Sequence, residues 1–495
     1  MEACDLNATE ARRLMAQKAL SVTELAQSCI DRMNLVNHAV NAIICSDPDD
    51  LLKQAKKAQQ AIDQGEPLGA LHGLPLSVKD MVDLKGFPTT FGSTIFKDNM
   101  ATSDDPMVAQ LRSAGALPLG KTNNPEWSAG GNTRNAVYGV TANPFDVTRS
   151  AAGSSGGSAV ALACGMTPLA TGSDTGGSLR NPAAFCGVVG FRPSPGVVPG
   201  HTRSIGLIPL PSSGPMARSV EDIGLMLSEM IRPDRRDPWV PMVEGVSLHN
   251  ASAYRHLPDY DLSSAKVAMT TDFGFAMTEQ LIRESFSDKL AQFSSVFATC
   301  DDAHPNSDNA DRVFAVLRAL NFSGKHRDLM YQYPDQVGPN VKMNVEEGES
   351  YSALDVVEAL EGQTTLYRHW QTFFEEYDFI LAPTTTISPR DWHELYPTHI
   401  DGQPTQSYYH WLSMAYVSTL TGHPSLTLPV GRDKNNMPFG LQIIGRRGSD
   451  LSTLAFAKAL EALLEKTPEL ARPRVDIATL SWSPALKEAE GFMGF

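Results

Sequence analysis

No apolar run in the chain reaches the ~18 residues that a membrane-spanning helix requires. The opening stretch, MEACDLNATEARRLMAQ, carries charges where a secretory signal needs its apolar centre, so a cytoplasmic location is expected. Cysteine is scarce and scattered (Cys4, Cys29, Cys45, Cys164, Cys186, Cys300), with no C-x-x-C pair and no Cys/His spacing suited to zinc. Those residues read as reduced thiols, and no metal is expected. Positive charge is in deficit, with 41 Lys and Arg against 56 Asp and Glu and a net charge of −15. That balance argues against a nucleic-acid surface, which needs clustered cations to displace counterions. Internal repeats and low-complexity segments are also missing, and 42% hydrophobic with 20% charged residues is the composition of an ordinary globular protein with a large core.

What the chain has in abundance is glycine and serine in one place. Between Arg149 and Pro193 lie two Gly/Ser-rich turns, Gly153 to Ser158 and Gly172 to Ser178, separated by the small apolar run Ala159 to Cys164. Glycine permits positive φ and close approach, so two such turns present bare N–H groups and hydroxyls to one small volume. That is the layout of a nucleophile beside an oxyanion hole.

Taken in order, Asn7 to Glu10 and Ser21 to Glu24 look like capping boxes opening helices, and Asp49-Asp50 begins a third that Gly65 stops. These make residues 1–65 a helical preface. Gly73 to Asp80 reads as a buried strand delivering Lys79 at its carboxyl end, where open α/β sheets place their chemistry. A helix follows Pro106, and Ala116 to Gly120 reads as a strand; residues 66–232 form the core that holds the two turns. Residues 127–149 read as loop, and a helix runs from Val220 to Met230. Residues 233–345 form a variable subdomain with one strand near Ala265 to Met269 and one helix near Ala310 to Ser323. Residues 346–495 complete the sheet through Phe379 to Pro383, Ser425 to Val430 and Phe439 to Ile444, before a helix opened by Asp450. The alternation predicts a single-domain three-layer α/β/α sandwich around a large mixed β-sheet.

Two short motifs compete for the chemistry. Gly115 to Thr122 matches the phosphate-loop pattern, but its helix precedes and its strand contains the motif, the reverse of what phosphate binding needs. Gly153 to Gly157 matches the nucleophile elbow with Ser155 as nucleophile, which would make an α/β-hydrolase-type esterase. The elbow needs a strand immediately before it, for which Asp146 to Ala152 is poor, and a histidine partner among His393, His399, His410 and His423.

The paired turns together with Lys79 resemble the amidase signature family, serine hydrolases that cleave carboxamides with a Ser-Ser-Lys triad. The likeness is close along GSSGGSAVALACGMTPLATGSDTGGSLRNPAAFCGVVGFRP. It extends to LHGLPLSVKD, LGKTNNPEW, YGVTANPFD, GPMARSVEDI, LAPTTT, LTGHPSLTLPVG and FGLQIIG, about two-thirds of the chain, with the middle region outside it. The resemblance implies a nucleophile at Ser178, a relay at Ser154 whose peptide bond in the family is cis, and a base at Lys79. It implies an oxyanion hole from the amides of Thr175, Gly176, Gly177 and Ser178, and a substrate-lining role for Ser128. Arg180 and Asp174 are expected to brace the turn, Cys186 to fill the core and Ser155 to support the turn.

These roles make physical sense. A free lysine, with a pKa near ~10.4, acts as a base at neutral pH only when desolvated. Neutral Lys79 would take a proton from Ser154 and Ser154 one from Ser178, whose acyl-enzyme water then releases. No cofactor is implied. The expected partner is a small amide, with neither nucleic acid nor membrane, and a homodimer stays among the expectations because enzymes of this size are often symmetric dimers. One branch of the family is the glutamine-hydrolysing subunit of a tRNA-dependent transamidase, which holds the glutamine amino group with an acid a few positions before the block resembling Leu420 to Gly422. Tyr408 to Ala415 contains no acid here, and Tyr408, Tyr409 and Trp411 suit either an aromatic pocket or the core. Small hydrophobic or aromatic amides are therefore the expected substrates.

Overall fold

The computed structural model describes residues 2–494. An eleven-stranded mixed sheet forms its centre. In chain order the strands are β1 (Ile43–Ser46), β2 (Pro75–Lys79), β3 (Leu117–Thr122), β4 (Leu169–Asp174), β5 (Val189–Arg192) and β6 (Ser212–Ala217). They continue with β7 (Lys266–Met269), β8 (Thr299–Asp302), β9 (Phe379–Pro383), β10 (Ser425–Arg432) and β11 (Pro438–Gly445). Across the sheet the order is β1-β3-β2-β4-β6-β5-β10-β11-β9-β7-β8. Pairing is parallel among β3, β2 and β4 and again among β9, β7 and β8, and antiparallel elsewhere.

Strands β2, β3, β5, β9 and β11 are buried along their whole length, as expected for strands covered on both faces. Thirteen helices are used below: α1 (Ala8–Ala16), α2 (Val22–Val40), α3 (Pro48–Gln64), α4 (Pro106–Ser113), α5 (Gly156–Ala163), α6 (Arg180–Cys186) and α7 (Val220–Met230) precede β7. After it come α8 (Gln280–Phe293), α9 (Ala310–Gln332), α10 (Pro339–Ser350), α11 (Ala353–Glu376), α12 (Ser413–Thr421) and α13 (Asp450–Leu464). Helices α5 and α6 pack on each other and on the central strands, as do α7 and α13, while α9, α10 and α11 pack together beside them. One continuous apolar core runs through these layers, and a smaller cluster joins Trp127 and Ala129 to Val341 and Val345 of α10.

Most expected elements are present, and the exceptions have identifiable causes. The Ser21 capping box forms, with the hydroxyl accepting from the Glu24 amide at 3.1 Å. At Asn7 it does not. The Ala8 and Thr9 amides donate instead to the Asp222 carboxylate of α7 at 2.9 and 2.8 Å, so a distant charge replaces the local cap. Residues 233–345 supply β7 and β8 to the main sheet, so the far edge is built by the stretch read as a subdomain and not by the C-terminal part alone. The helix expected near Ala310 to Ser323 continues to Gln332. Asp146–Ser150 is a strand, but its partner is Ala142–Asn143 in a separate hairpin. All six cysteines are free, and among the described residues no helix is long and apolar enough to cross a membrane.

Candidate active site

Lys79 is the last residue of β2, and its amide donates to Thr171 Oγ1 of the neighbouring β4 at 2.9 Å. Its side chain is completely buried, and its Nζ meets three hydroxyls: Ser154 Oγ at 2.7 Å, Ser173 Oγ at 2.9 Å and Ser155 Oγ at 3.0 Å. Burial pushes the ammonium pKa down to about 7, against a smaller upward pull from Asp174. The amine therefore stands ready to be neutral near physiological pH.

The first Gly/Ser turn reaches this amine through a cis Gly153–Ser154 peptide bond. Ser154 is fully buried, with Lys79 as its side-chain partner, and Ser155 follows as the first residue before α5. The two turns are tied by the Ser155 amide, which donates to the Ser178 carbonyl at 3.3 Å.

Asp174 organises the second turn. Fully buried, it accepts from the Gly177 amide at 2.9 Å and the Leu179 amide at 3.2 Å. It also pairs with Arg180 at 2.9 Å and Arg192 at 3.3 Å, and these two guanidinium groups hold its carboxyl well below the usual range against the cost of burial. The bracing expected of Asp174 and Arg180 is thus visible in the bonds. Gly177 has φ +105°, a backbone that disfavours any side chain, and its amide is spent on Asp174. This removes Gly177 from the donors named for an oxyanion. The amides of Thr175, Gly176 and Ser178 have no acceptor among the described residues. The Ser178 hydroxyl is partly exposed and likewise makes no hydrogen bond to a described residue.

Ser128 lies on a short turn where Trp127 and Ser128 both take positive φ, and its hydroxyl is buried without a partner. Trp411 lies against Gly131, stacks on Phe185 at 6.0 Å, and keeps a buried, unpartnered indole N–H. Phe314 of α9 and Leu412 close on Gly176: a Cβ built there would lie 3.1 Å from Phe314 Cζ and 3.7 Å from Leu412 Cδ1. Tyr408 and Tyr409 are buried nearby, their rings 5.3 Å apart.

The competing motifs come apart. Lys121 and Thr122, the end of the phosphate-loop pattern, are buried inside β3, where Lys121 pairs with Asp80 at 3.2 Å. Ser155 has Lys79 and Ser173 as partners and no histidine. His423 is enclosed by Trp370 and Phe374, and burial pushes its pKa down to about 3. His393 and His399 bond to Asp391 and Thr398, and His410 accepts from the Gln406 amide. Sequence reasoning missed Ser173 as a third hydroxyl on Lys79, although it stands in the same turn, and missed Phe314, for which α9 offers no distinctive signal.

Comparison with known proteins points to one family. The amidase family model matches residues 24–454. An acylamidase of Rhodococcus erythropolis is 33% identical over 464 residues, covering 92% of this chain and 95% of that protein. A glutamyl-tRNA(Gln) amidotransferase subunit from Moorella thermoacetica is 31% identical, covering 95% of this chain and 99% of that one. Among solved structures, a bacterial aryl acylamidase of the amidase signature enzymes superposes with a TM-score of 0.84 at 26% identity, covering 97% of this chain and 98% of that one.

Proposed function

The chain belongs to the amidase signature family and is a serine amidase that cleaves carboxamide C–N bonds, and on that premise we propose that Ser178 is its nucleophile, Ser154 its proton relay and Lys79 its base. The observation that carries this reading is the fully buried Lys79 amine 2.7 Å from Ser154 Oγ.

The reaction runs as follows. Substrate brings the free Ser178 hydroxyl onto Ser154, since such contacts tighten when the Michaelis complex forms. Neutral Lys79 takes the Ser154 proton, Ser154 takes the Ser178 proton, and Ser178 Oγ attacks the amide carbonyl. The oxyanion is held by the amides of Thr175, Gly176 and Ser178, where one donor is typically worth about 3–4 kcal/mol. Collapse breaks the C–N bond, and the amine or ammonia leaves with the proton returned through Ser154. Water, deprotonated along the same relay, then attacks the acyl-enzyme and releases the carboxylate.

Small hydrophobic or aromatic amides are the substrates this reading favours, because Phe314 and Leu412 set apolar surface against Gly176 and Trp411 sets it against Gly131. The similarity to an acylamidase supports a stand-alone enzyme. Ser128 contributes a polar contact to the bound amide. A cytoplasmic location and a homodimer belong to the same proposal.

The test is mass spectrometry of the intact protein after exposure to a fluorophosphonate, with ammonia release from a panel of amides that includes glutamine. One adduct on the wild type, absent in Ser178→Ala and slowed in Lys79→Ala, is the expected result. An adduct that persists in Ser178→Ala moves the nucleophile, with Ser155 next in line. Hydrolysis of glutamine alone favours the transamidase reading.

A further inference from the structure

Helix α9 carries Phe314, Arg318, Phe322 and His326 at four-residue intervals, a single stripe along one face. One end of the stripe is at the reaction centre, where Phe314 abuts Gly176. Its other end is at Ser128, because His326 stacks on the preceding Trp127 with ring centres 4.4 Å apart. Arg318 therefore stands on the wall between the oxyanion turn and the Ser128 turn, one helical step of ~6 Å from Phe314.

Arg318 is only 6% exposed. Its guanidinium lies over the rings of Phe322, Tyr408 and Tyr409, at 4.6, 4.8 and 4.8 Å from their centres. Nη2 donates to Tyr408 Oη, while Nη1 is buried with no partner. Tyr408 Oη also accepts from Asn344 Nδ2 at 2.5 Å, so its own proton has no acceptor among the described residues. Glu347 acts on this cluster through the Tyr409 hydroxyl at 2.7 Å and makes no ion pair with Arg318. Other buried arginines have a carboxylate or several carbonyls as partners, Arg180 and Arg192 with Asp174, Arg203 with Asp237, and Arg218 with four main-chain carbonyls, although Arg203 Nη2, Arg192 Nε and Arg218 Nε are also left without a partner.

A desolvated guanidinium without a carboxylate is costly, and here it points two donors, Nη1 and the Tyr408 hydroxyl, at no acceptor. Asn344 Oδ1 beside Tyr408, and Asn340 Oδ1 and Ser128 Oγ at the Ser128 turn, are also buried without a partner. We propose that Arg318 and the Tyr408 hydroxyl bind a carboxylate of the substrate, set one helical step away from the scissile amide. The preferred substrate is then an amide whose apolar body, lying against Phe314 and Tyr409, ends in a carboxylate. This assignment rests on the amidase reading and narrows it. A planar carboxylate suits the guanidinium, and forming the pair inside an aromatic enclosure excludes the water that would weaken it.

The experiment compares two amides that differ in one terminus, adipic acid monoamide and hexanamide, with Ser178 labelling by fluorophosphonate read in parallel. Wild type is expected to prefer the carboxylate substrate at least tenfold in kcat/KM. Arg318→Met should erase that preference, raising KM for the monoamide at least tenfold more than KM for hexanamide, while Ser178 still labels. Tyr408→Phe should lose part of the preference. Should Arg318→Met fail to fold, Arg318→Lys is read instead, and the preference must fall at least fivefold. Wild type that labels and hydrolyses hexanamide as well as the monoamide overturns the role of Arg318 alone, as does a variant that keeps the preference. Wild type that neither labels nor hydrolyses either amide overturns the amidase reading beneath it.

Discussion

Lys79 Nζ lies 2.7 Å from Ser154 Oγ in a fully buried setting where its other hydrogen-bond partners are the hydroxyls of Ser155 and Ser173. With no carboxylate in contact, burial dominates and the amine deprotonates at about 7. A base must be neutral to act, so kcat/KM should climb as pH rises through about 7 and level off above it. A pH–rate profile on a neutral amide checks this. A rate independent of pH between 6 and 9 would remove Lys79 from the base role.

A neutral amine has two N–H groups and one lone pair. If Ser155 and Ser173 accept the two protons, the lone pair is left facing the Ser154 hydroxyl. Ser173→Ala and Ser155→Ala should each lower kcat by about tenfold, the worth of one hydrogen bond at a reacting group. Because those hydroxyls also favour the charged amine, the acid limb of the profile should move to lower pH in both variants. A loss of rate with an unmoved limb would reduce them to packing.

Asp174→Asn leaves Arg180 and Arg192 buried together without their shared charge. The expected loss is about 3–5 kcal/mol of unfolding free energy, read by urea denaturation. The Asp174 pKa is held below the ordinary carboxylate value, so its contribution is present above that ordinary value and fades only as pH falls through the lowered one. Wild type should therefore keep this stabilisation down to pH 4.

Gly176 and Gly177 should respond differently to alanine. At Gly177 the positive φ and an Ala415 Cβ only 2.5 Å from the new atom both oppose the change, so Gly177→Ala should fall in Tm as well as in activity. At Gly176, which has no positive φ, the new atom meets the tip of the Phe314 side chain at 3.1 Å, a contact that movement of a few tenths of an ångström relieves. Gly176→Ala should lose turnover with little change in Tm, which calorimetry and steady-state kinetics distinguish.

What could be read from the sequence was whatever is decided locally. Five buried residues ending in lysine announced β2, and Ser21 with Glu24 announced α2, because strand burial and a capping box are nearest-neighbour matters. Asn7 failed as a cap because Asp222, 213 and 214 residues from the amides it takes, holds the start of α1. Helix α11 carried a usable signal in the Ser352 and Asp355 box that went unread. The far sheet edge was half hidden for a different reason: β7 was read as a strand near Ala265 to Met269, but its neighbour β8 has four residues with three of them exposed, too short and too wet for alternation to show. In the proposed site, Lys79, Ser154 and Ser178 were singled out through motif likeness, whereas the contact of Ser173 with Lys79 and the enclosure of Arg318 arise only from side chains brought together by the fold.

Strands β2 and β4 are hydrogen-bonded neighbours that end side by side, one at Lys79 and the other at Asp174. The amine and the turn bearing Ser178 thus share one rigid floor, and they cannot drift apart unless the middle of the sheet opens. Heat should consequently spare the chemistry until the protein itself gives way. The midpoint of thermal inactivation and the midpoint of global melting are expected to coincide, with no stage at which a folded but dead enzyme accumulates.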